Sequence, residues 1–193
     1  MTFKEKFGFG CMRLPLTDKE DPTSIDQKLF NEMVDIYMEK GFNYFDTSYA
    51  YHNGISEIAI RKALVERYPR ESFKICDKMP TWALSSEKDN DKFVSEMLER
   101  LGIDYFDVFF VHNINIPWYK LAENAKTFEY VKKMKETGRQ VSNEPYNTLK
   151  VSQFGHVYQV IIHFRGDRVT CTLWDAQHDS GFYPLNTNSI SLP

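Results

Sequence analysis

The stretch FNYFDTSYAYHNGISEIAIRKALVERY, residues 42 to 68, decides the fold class of this chain. Its first part, residues 42–48, is a short aromatic run typical of a buried strand, and its last part, residues 55–68, has apolar residues at helical spacing. Ionisable and hydroxyl side chains crowd the segment between them. Because loops at strand ends can present polar groups on a fixed scaffold, this crowding indicates a functional pocket.

The same unit, a strand followed by a helix, repeats along the first two thirds of the chain. Apolar runs predict further strands at residues 7–16, 73–80 and 105–113. Amphipathic spacing predicts further helices at residues 24–41, 88–102 and 120–138. The pattern therefore contains four consecutive strand and helix units.

Helix 24–41 has the clearest helical pattern of the four. Ser24 is a candidate N-cap, and Gly41 is placed where the helix should stop. The residues predicted to form its buried face are Ile25, Leu29, Met33, Ile36 and Tyr37.

Strict alternation of strands and helices with short connections predicts a parallel sheet of an α/β protein. The run DVFFV, residues 107–111, is nearly continuous apolar, as in strands that helices cover on both faces. A (β/α)8 TIM barrel and a doubly wound open sheet both fit this pattern.

Composition narrows the functional classes. With 24 basic and 27 acidic residues the formal net charge is -3, so neither a nucleic acid nor a membrane is expected as a partner. Three cysteines lie far apart in the sequence, which predicts neither a disulfide framework nor a metal site. The N-terminus has no apolar signal region and no window is long enough to span a membrane, so a cytoplasmic location is expected.

The sequence changes character after residue 139, and we expect residues 140–193 to form a divergent tail. Residues 156–176 contain two strand-like runs around Arg165, Gly166 and Asp167, which predict a β-hairpin. Residues 140–155 show no clear periodicity, and the end of the chain, residues 178–193, is predicted to be loop or disordered. RVTCTLWDAQ faintly resembles a strand of the OB-folds in replication protein A-like chains, but the region is not strongly basic.

Four chemically active side chains lie at or just beyond the ends of three successive strands: Asp46, Tyr51, Lys78 and His112. A tyrosine phenol, with a pKa near ~10, needs a neighbouring ammonium to act as a proton donor near neutral pH. We expect Lys78 to supply that charge, Asp46 to hold Lys78, and His112 to hydrogen-bond a substrate carbonyl.

Each of these residues also has an ordinary structural interpretation. An aspartate after a strand is usually a turn or capping residue, a loop tyrosine usually packs, and a strand-end lysine is usually solvated. A single histidine after an apolar run is more often a core residue. The catalytic hypothesis depends on all four occurring at the same end of one sheet.

These motifs resemble the aldo-keto reductase family. FGFGCMRLP is similar to its first barrel strand and loop, and FNYFDTSYAYHNGISE to its signature around the catalytic Asp and Tyr. FKICDKMP is similar to the strand bearing its lysine, and LERLGIDYFDVFFVHN to the segment delivering its histidine. The similarity covers about residues 7 to 139.

The resemblance implies a (β/α)8 barrel that reduces a small aldehyde or ketone with NADPH. By motif, Tyr51 is then the general acid, Lys78 lowers its pKa, Asp46 supports Lys78 and His112 orients the carbonyl. Cys11, Met12 and Asp46 match positions that approach the cofactor.

The resemblance ends at the tail, where no counterpart of the fifth to eighth barrel strands follows. We therefore expect a partial barrel, residues 1–139, with impaired NADPH binding and with self-association through open strand edges. The alternative function is a non-catalytic module, truncated from such a reductase, that binds a protein partner through those edges.

Overall fold

The computed structural model describes residues 7–136, 138, 146–153, 156–165, 168–175 and 187–190. Two four-stranded sheets are present in this part of the chain. The first contains Gly8–Gly10 (β1), Tyr44–Asp46 (β2), Lys74–Met79 (β3) and Val108–Val111 (β4), and its strands pair in parallel in that order.

Helices alternate with these strands, which confirms the predicted α/β class. They are Gln27–Glu39 (α1), Ile55–Ile60 (α2), Lys88–Leu101 (α3), Ile116–Asn124 (α4) and Thr127–Glu136 (α5). Helix α2 continues into one π-helical turn, Arg61–Val65. The core lies between these helices and the sheet, and aromatic rings of Phe9, Phe30, Tyr37 and Phe45 pack together in it.

The first strand comes very close to its neighbour. A Cβ atom added at Gly8 would lie 2.9 Å from the ring of Tyr44 on β2, so a larger residue would displace that ring. The glycine of the FGFG motif therefore permits the close pairing of β1 with β2.

The prediction of one helix over 120–138 is wrong, because the chain turns between α4 and α5. Lys126 has a left-handed φ of 50° at this break. Buried Asn90 of α3 stabilises it, since its amide donates to Ala125 O (2.7 Å) and its Oδ1 accepts from Thr127 Oγ1 (2.7 Å). Asn90, which is distant in sequence, thus fixes the point at which α4 ends.

The predicted buried face of α1 is wrong at three positions. Leu29, Met33 and Ile36 are 44%, 37% and 57% exposed, although Tyr37 is buried as predicted. Phe30 and Val34, which the prediction omitted, are fully buried, because the aromatic cluster on β1 and β2 selects that side of the helix.

The ends of α1 are partly as predicted. Asp26 rather than Ser24 is the N-cap, and its Oδ1 accepts from Leu29 N at 3.0 Å. Gly41 follows the helix with a φ of 85°, which confirms the predicted stop.

The second sheet is antiparallel and contains Tyr146–Gln153 (β5), His156–Arg165 (β6), Arg168–Asp175 (β7) and Thr187–Ile190 (β8) in that order. Strands β6 and β7 form a hairpin within the predicted range 156–176. The prediction of loop is wrong for β8, which pairs with β7. Strand β5 lies in the segment without clear periodicity and pairs with β6, a contact that the local pattern does not reveal. The predicted boundary between residues 139 and 140 lies outside the described residues.

Candidate active site

The parallel sheet brings the predicted site residues to one edge. Asp46 is the last residue of β2, Lys78 is the fifth of β3, and His112 directly follows β4. Tyr51 begins a 3-10 turn, Tyr51–Gly54, in which His52 and Asn53 have left-handed φ values of 53° and 54°. This unusual turn places the Tyr51 ring beside Lys78.

Lys78 connects the site residues directly. Its Nζ lies 2.6 Å from Asp46 Oδ1, 2.5 Å from the carbonyl oxygen of Thr47 and 3.4 Å from the Tyr51 hydroxyl. The Lys78 side chain is only 12% exposed. The ammonium is therefore held by a carboxylate and a carbonyl, while it still faces the phenol.

Electrostatics favour a charged Lys78 and a neutral Tyr51. Burial acts against the ammonium, but the neighbouring Cys76, Asp46 and Tyr51 groups raise the pKa of Lys78 above its ordinary value. Burial raises the pKa of Tyr51, and the charge on Lys78 opposes this increase without cancelling it. Lys78 thus contributes a downward shift to the pKa of Tyr51, but burial contributes more, so the net shift is upward.

His112 is held in the same site from β4. Its Nδ1 and the Ser48 hydroxyl are hydrogen-bonded at 2.8 Å, and its backbone oxygen accepts from Thr81 Oγ1 at 2.6 Å. The ring packs edge-on against Tyr51, with centroids 6.0 Å apart. Sequence reasoning missed Ser48, although it lies two residues after Asp46 on the same strand end.

A cavity of about 1000 Å³ opens over these groups. Its apolar wall includes Trp82 and Trp118, whose ring centroids lie 5.7 Å apart. Trp82 also packs against His112, at 5.5 Å between centroids. Sequence reasoning missed both tryptophans, but each lies in a segment that follows a strand end, so the rule that found His112 could have found them.

The two residues predicted to follow β1 into the site have different environments. Met12 is 57% exposed and lines the cavity. The Cys11 side chain is completely buried in the core, and its burial raises the pKa of the thiol well above its ordinary value. Only Met12 thus presents a side chain to the cavity.

The sequence matches the family model described as the Aldo/keto reductase family over residues 6–145. This chain belongs to that family. An aldo-keto reductase of Mycobacterium avium is 29% identical over 198 residues, which cover 95% of this chain and 62% of that protein. The chain thus spans less than two thirds of this relative's length.

Solved structures of the family share the fold. An aldo-keto reductase of Bacillus halodurans in its holo form is 24% identical, with a TM-score of 0.58 over 76% of this chain and 46% of that one. One from Brucella melitensis is 20% identical, with a TM-score of 0.51 over 76% of this chain and 48% of that one. The parallel sheet of this family member therefore corresponds to part of a TIM barrel rather than to a doubly wound sheet.

No helix in the part of the chain that the structure describes is long and apolar enough to cross a membrane. No cluster of three or more His, Cys, Asp or Glu side chains there could hold a metal ion.

Proposed function

We propose that this chain carries the catalytic groups of an NADPH-dependent reduction of an aldehyde or ketone to an alcohol. The observation that supports it is the placement of one buried lysine between a carboxylate and a tyrosine. Lys78 Nζ lies 2.6 Å from Asp46 Oδ1 and 3.4 Å from the Tyr51 hydroxyl, at the floor of a cavity.

In this proposal Tyr51 donates a proton to the carbonyl oxygen of the substrate. When bound, NADPH would supply the hydride for the carbonyl carbon. The proton from Tyr51 completes the alcohol and leaves Tyr51 as a phenolate. The Lys78 ammonium stabilises that phenolate, and Asp46 keeps the ammonium oriented. His112, which Ser48 holds at 2.8 Å, hydrogen-bonds the carbonyl and polarises it.

The described residues fit the nicotinamide end of the cofactor. Met12 and Asp46 line the cavity beside Lys78. We assign the contact with this end of NADPH to these two side chains, and to Cys11 only through its backbone, since its thiol is buried. The choice of NADPH over NADH is carried over from the family resemblance alone, because the two cofactors have the same nicotinamide end.

The cavity favours a small neutral carbonyl compound. Lys78 is the one lysine or arginine among the described lining residues, and Asp46 already neutralises it. A substrate carboxylate would therefore find no free cation here, whereas an apolar group can pack on Trp82 and Trp118. We also propose a cytoplasmic location, which the buried and unbridged cysteines Cys11 and Cys76 support.

The first test is a fluorescence titration of the purified chain with NADPH, followed by NADPH oxidation with benzaldehyde. We expect saturable binding and oxidation that depends on the aldehyde. Tyr51→Phe should retain NADPH binding and lower the oxidation rate by about 10² to 10⁴, the usual contribution of a general acid.

The matched control is Tyr49→Phe. Tyr49 lies two residues away and its hydroxyl donates to Glu96 at 3.0 Å, away from the cavity. This variant should oxidise NADPH at the rate of the unmodified chain. Equal oxidation rates in Tyr51→Phe and Tyr49→Phe would refute the assignment of Tyr51.

A further inference from the structure

Two fully buried carboxyl groups meet behind the candidate site. Glu57 belongs to the first turn of α2, and Asp77 precedes Lys78 on β3, so its side chain lies on the opposite face of the sheet from Lys78. Asp77 Oδ1 accepts from the backbone nitrogen of Lys78 at 2.8 Å. Glu57 Oε2 accepts from Arg100 at 2.8 Å.

The second oxygen of each carboxyl group has no donor among the described residues. These atoms are Glu57 Oε1 and Asp77 Oδ2, and both are buried. The two carboxyl groups are close enough for each to shift the pKa of the other. Because a carboxylate can only accept, a hydrogen bond between them requires a proton on one of the two groups.

The surrounding charges balance one negative charge rather than two. Arg100 of α3, 26% exposed, is the cation that contacts Glu57, and its second nitrogen lies 3.6 Å from Glu96. Tyr49 packs against the Arg100 guanidinium and donates to Glu96. The Lys78 ammonium is directed to Asp46 on the cavity side.

The pKa shifts of Asp77 and Glu57 agree with a single negative charge on the pair. Burial, and then the charge of Glu57, raise the pKa of Asp77 well above its ordinary value. Burial also raises the pKa of Glu57, although Arg100 opposes that increase. Burial of both carboxyl groups thus favours one proton held between them over two negative charges.

We propose that Glu57 and Asp77 share one proton in the folded protein and that this acid pair positions the turn that carries Tyr51. The neighbouring Ser56 hydroxyl contacts Thr47 Oγ1 at 2.9 Å and donates to Cys11 O at 3.3 Å. Thr47 in turn accepts from Lys78 through its carbonyl oxygen. The first turn of α2 is thus fixed against the strands that bear Asp46 and Lys78, immediately after the Tyr51 turn.

The shared proton predicts a specific pH dependence of stability. Above about pH 5 the unfolded chain holds no proton on these two groups, whereas the folded pair holds one. Stability must therefore fall as pH rises, by about tenfold in the unfolding equilibrium constant per pH unit, until the folded pair loses its proton.

The experiment is denaturant unfolding of the full chain and of Asp77→Asn between about pH 5 and pH 8, a range above the ordinary carboxyl pKa values. The asparagine amide can donate to Glu57 without a titrating proton. We expect the ratio of the two unfolding constants to change by about tenfold per pH unit. Parallel pH profiles would overturn the shared proton.

Two further variants keep the test decisive. Glu57→Gln removes the negative charge beside Asp77 and supplies an amide that can donate to it, so the folded chain should lose its proton at a lower pH. This variant replaces Asp77→Asn if that protein does not fold. Asp107→Asn is the matched control, because buried Asp107 pairs with two cations, Arg70 at 2.6 Å and Lys74 at 3.2 Å. We expect it to be less stable, with a pH profile parallel to that of the unmodified chain.

The positioning role, which rests on the proposed function of Tyr51, has a separate readout. Amide hydrogen exchange of residues 49–60 should rise more steeply with pH in the unmodified chain than in Asp77→Asn. Equal exchange in both proteins at every pH would overturn the positioning role. Neither readout requires catalysis, so a chain without reductase activity would refute the proposed function and leave this test valid.

Discussion

At the scale of single residues, the chemistry of the cavity depends most on the Lys78 ammonium. It is the cation that contacts both Asp46 and Tyr51. Lys78→Met removes the charge that stabilises the phenolate, so we expect the rate of aldehyde-dependent NADPH oxidation to fall by about 10² or more.

The control for this prediction is Lys74→Met on the same strand. Lys74 pairs with Asp107 at 3.2 Å, at the opposite end of β3 from Lys78, and it does not line the cavity. We expect Lys74→Met to lower stability and to retain the oxidation rate. Equal losses of activity in the two variants would mean that Lys78 acts only through stability.

The sequence predicted the positions of Asp46, Lys78 and His112 because parallel strands align their ends. It did not predict that burial would raise the pKa of Tyr51, since burial depends on how the loops fold over the cavity. Ser48 was missed for a related reason. Its contact with His112 joins residues 64 positions apart in the chain, and no local pattern shows such a contact.

At the scale of elements, one histidine connects the loop after β1 to the Tyr51 turn. His52 Nε2 accepts from the backbone nitrogen of Leu14 at 3.0 Å, and its Nδ1 lies 2.7 Å from the carbonyl oxygen of Pro22. Because Nε2 accepts, the neutral ring carries its hydrogen on Nδ1 and donates it to Pro22. This loop also carries Met12, so His52 links the proposed cofactor contact to the proposed proton donor.

His52→Phe keeps a ring at this position but removes both nitrogens. We expect a loss of about 1 kcal/mol per hydrogen bond, faster exchange of the Leu14 amide and a higher KM for NADPH. Asn53→Gly, in the same left-handed turn, keeps both bonds and should leave the Leu14 exchange rate unchanged. Unchanged Leu14 exchange in His52→Phe would contradict this role.

Local sequence pattern is sufficient to predict some features of the helices and strands but not others. The strand and helix order could be predicted because each unit has its own apolar period. The buried side of α1 could not, since the helix has two apolar stripes and the packing of Phe30 against Phe9 selects one of them. The break at Lys126 depends on Asn90, a residue of another helix.

At the scale of the whole molecule, the apolar stripe of α1 that does not face the core lies on the surface. Arg67, from the turn after α2, contacts one flank of α1 through Asp35 at 2.6 Å. At 100° per residue, Leu29, Met33 and Ile36 project from the opposite flank. All three are exposed. This apolar flank lies on the side of β1, whose one partner in the described sheet is β2.

An exposed apolar flank beside a strand edge favours association between copies of the chain. We therefore expect the average mass, measured by sedimentation equilibrium, to rise with concentration. Ile36→Glu places a charge in the middle of any contact made by this flank and should restore the mass of a monomer. Ile116→Glu is the matched control, because Ile116 is 64% exposed on α4, outside the flank. A monomeric unmodified chain at every concentration, or equal effects of the two substitutions, would show that this flank does not mediate association.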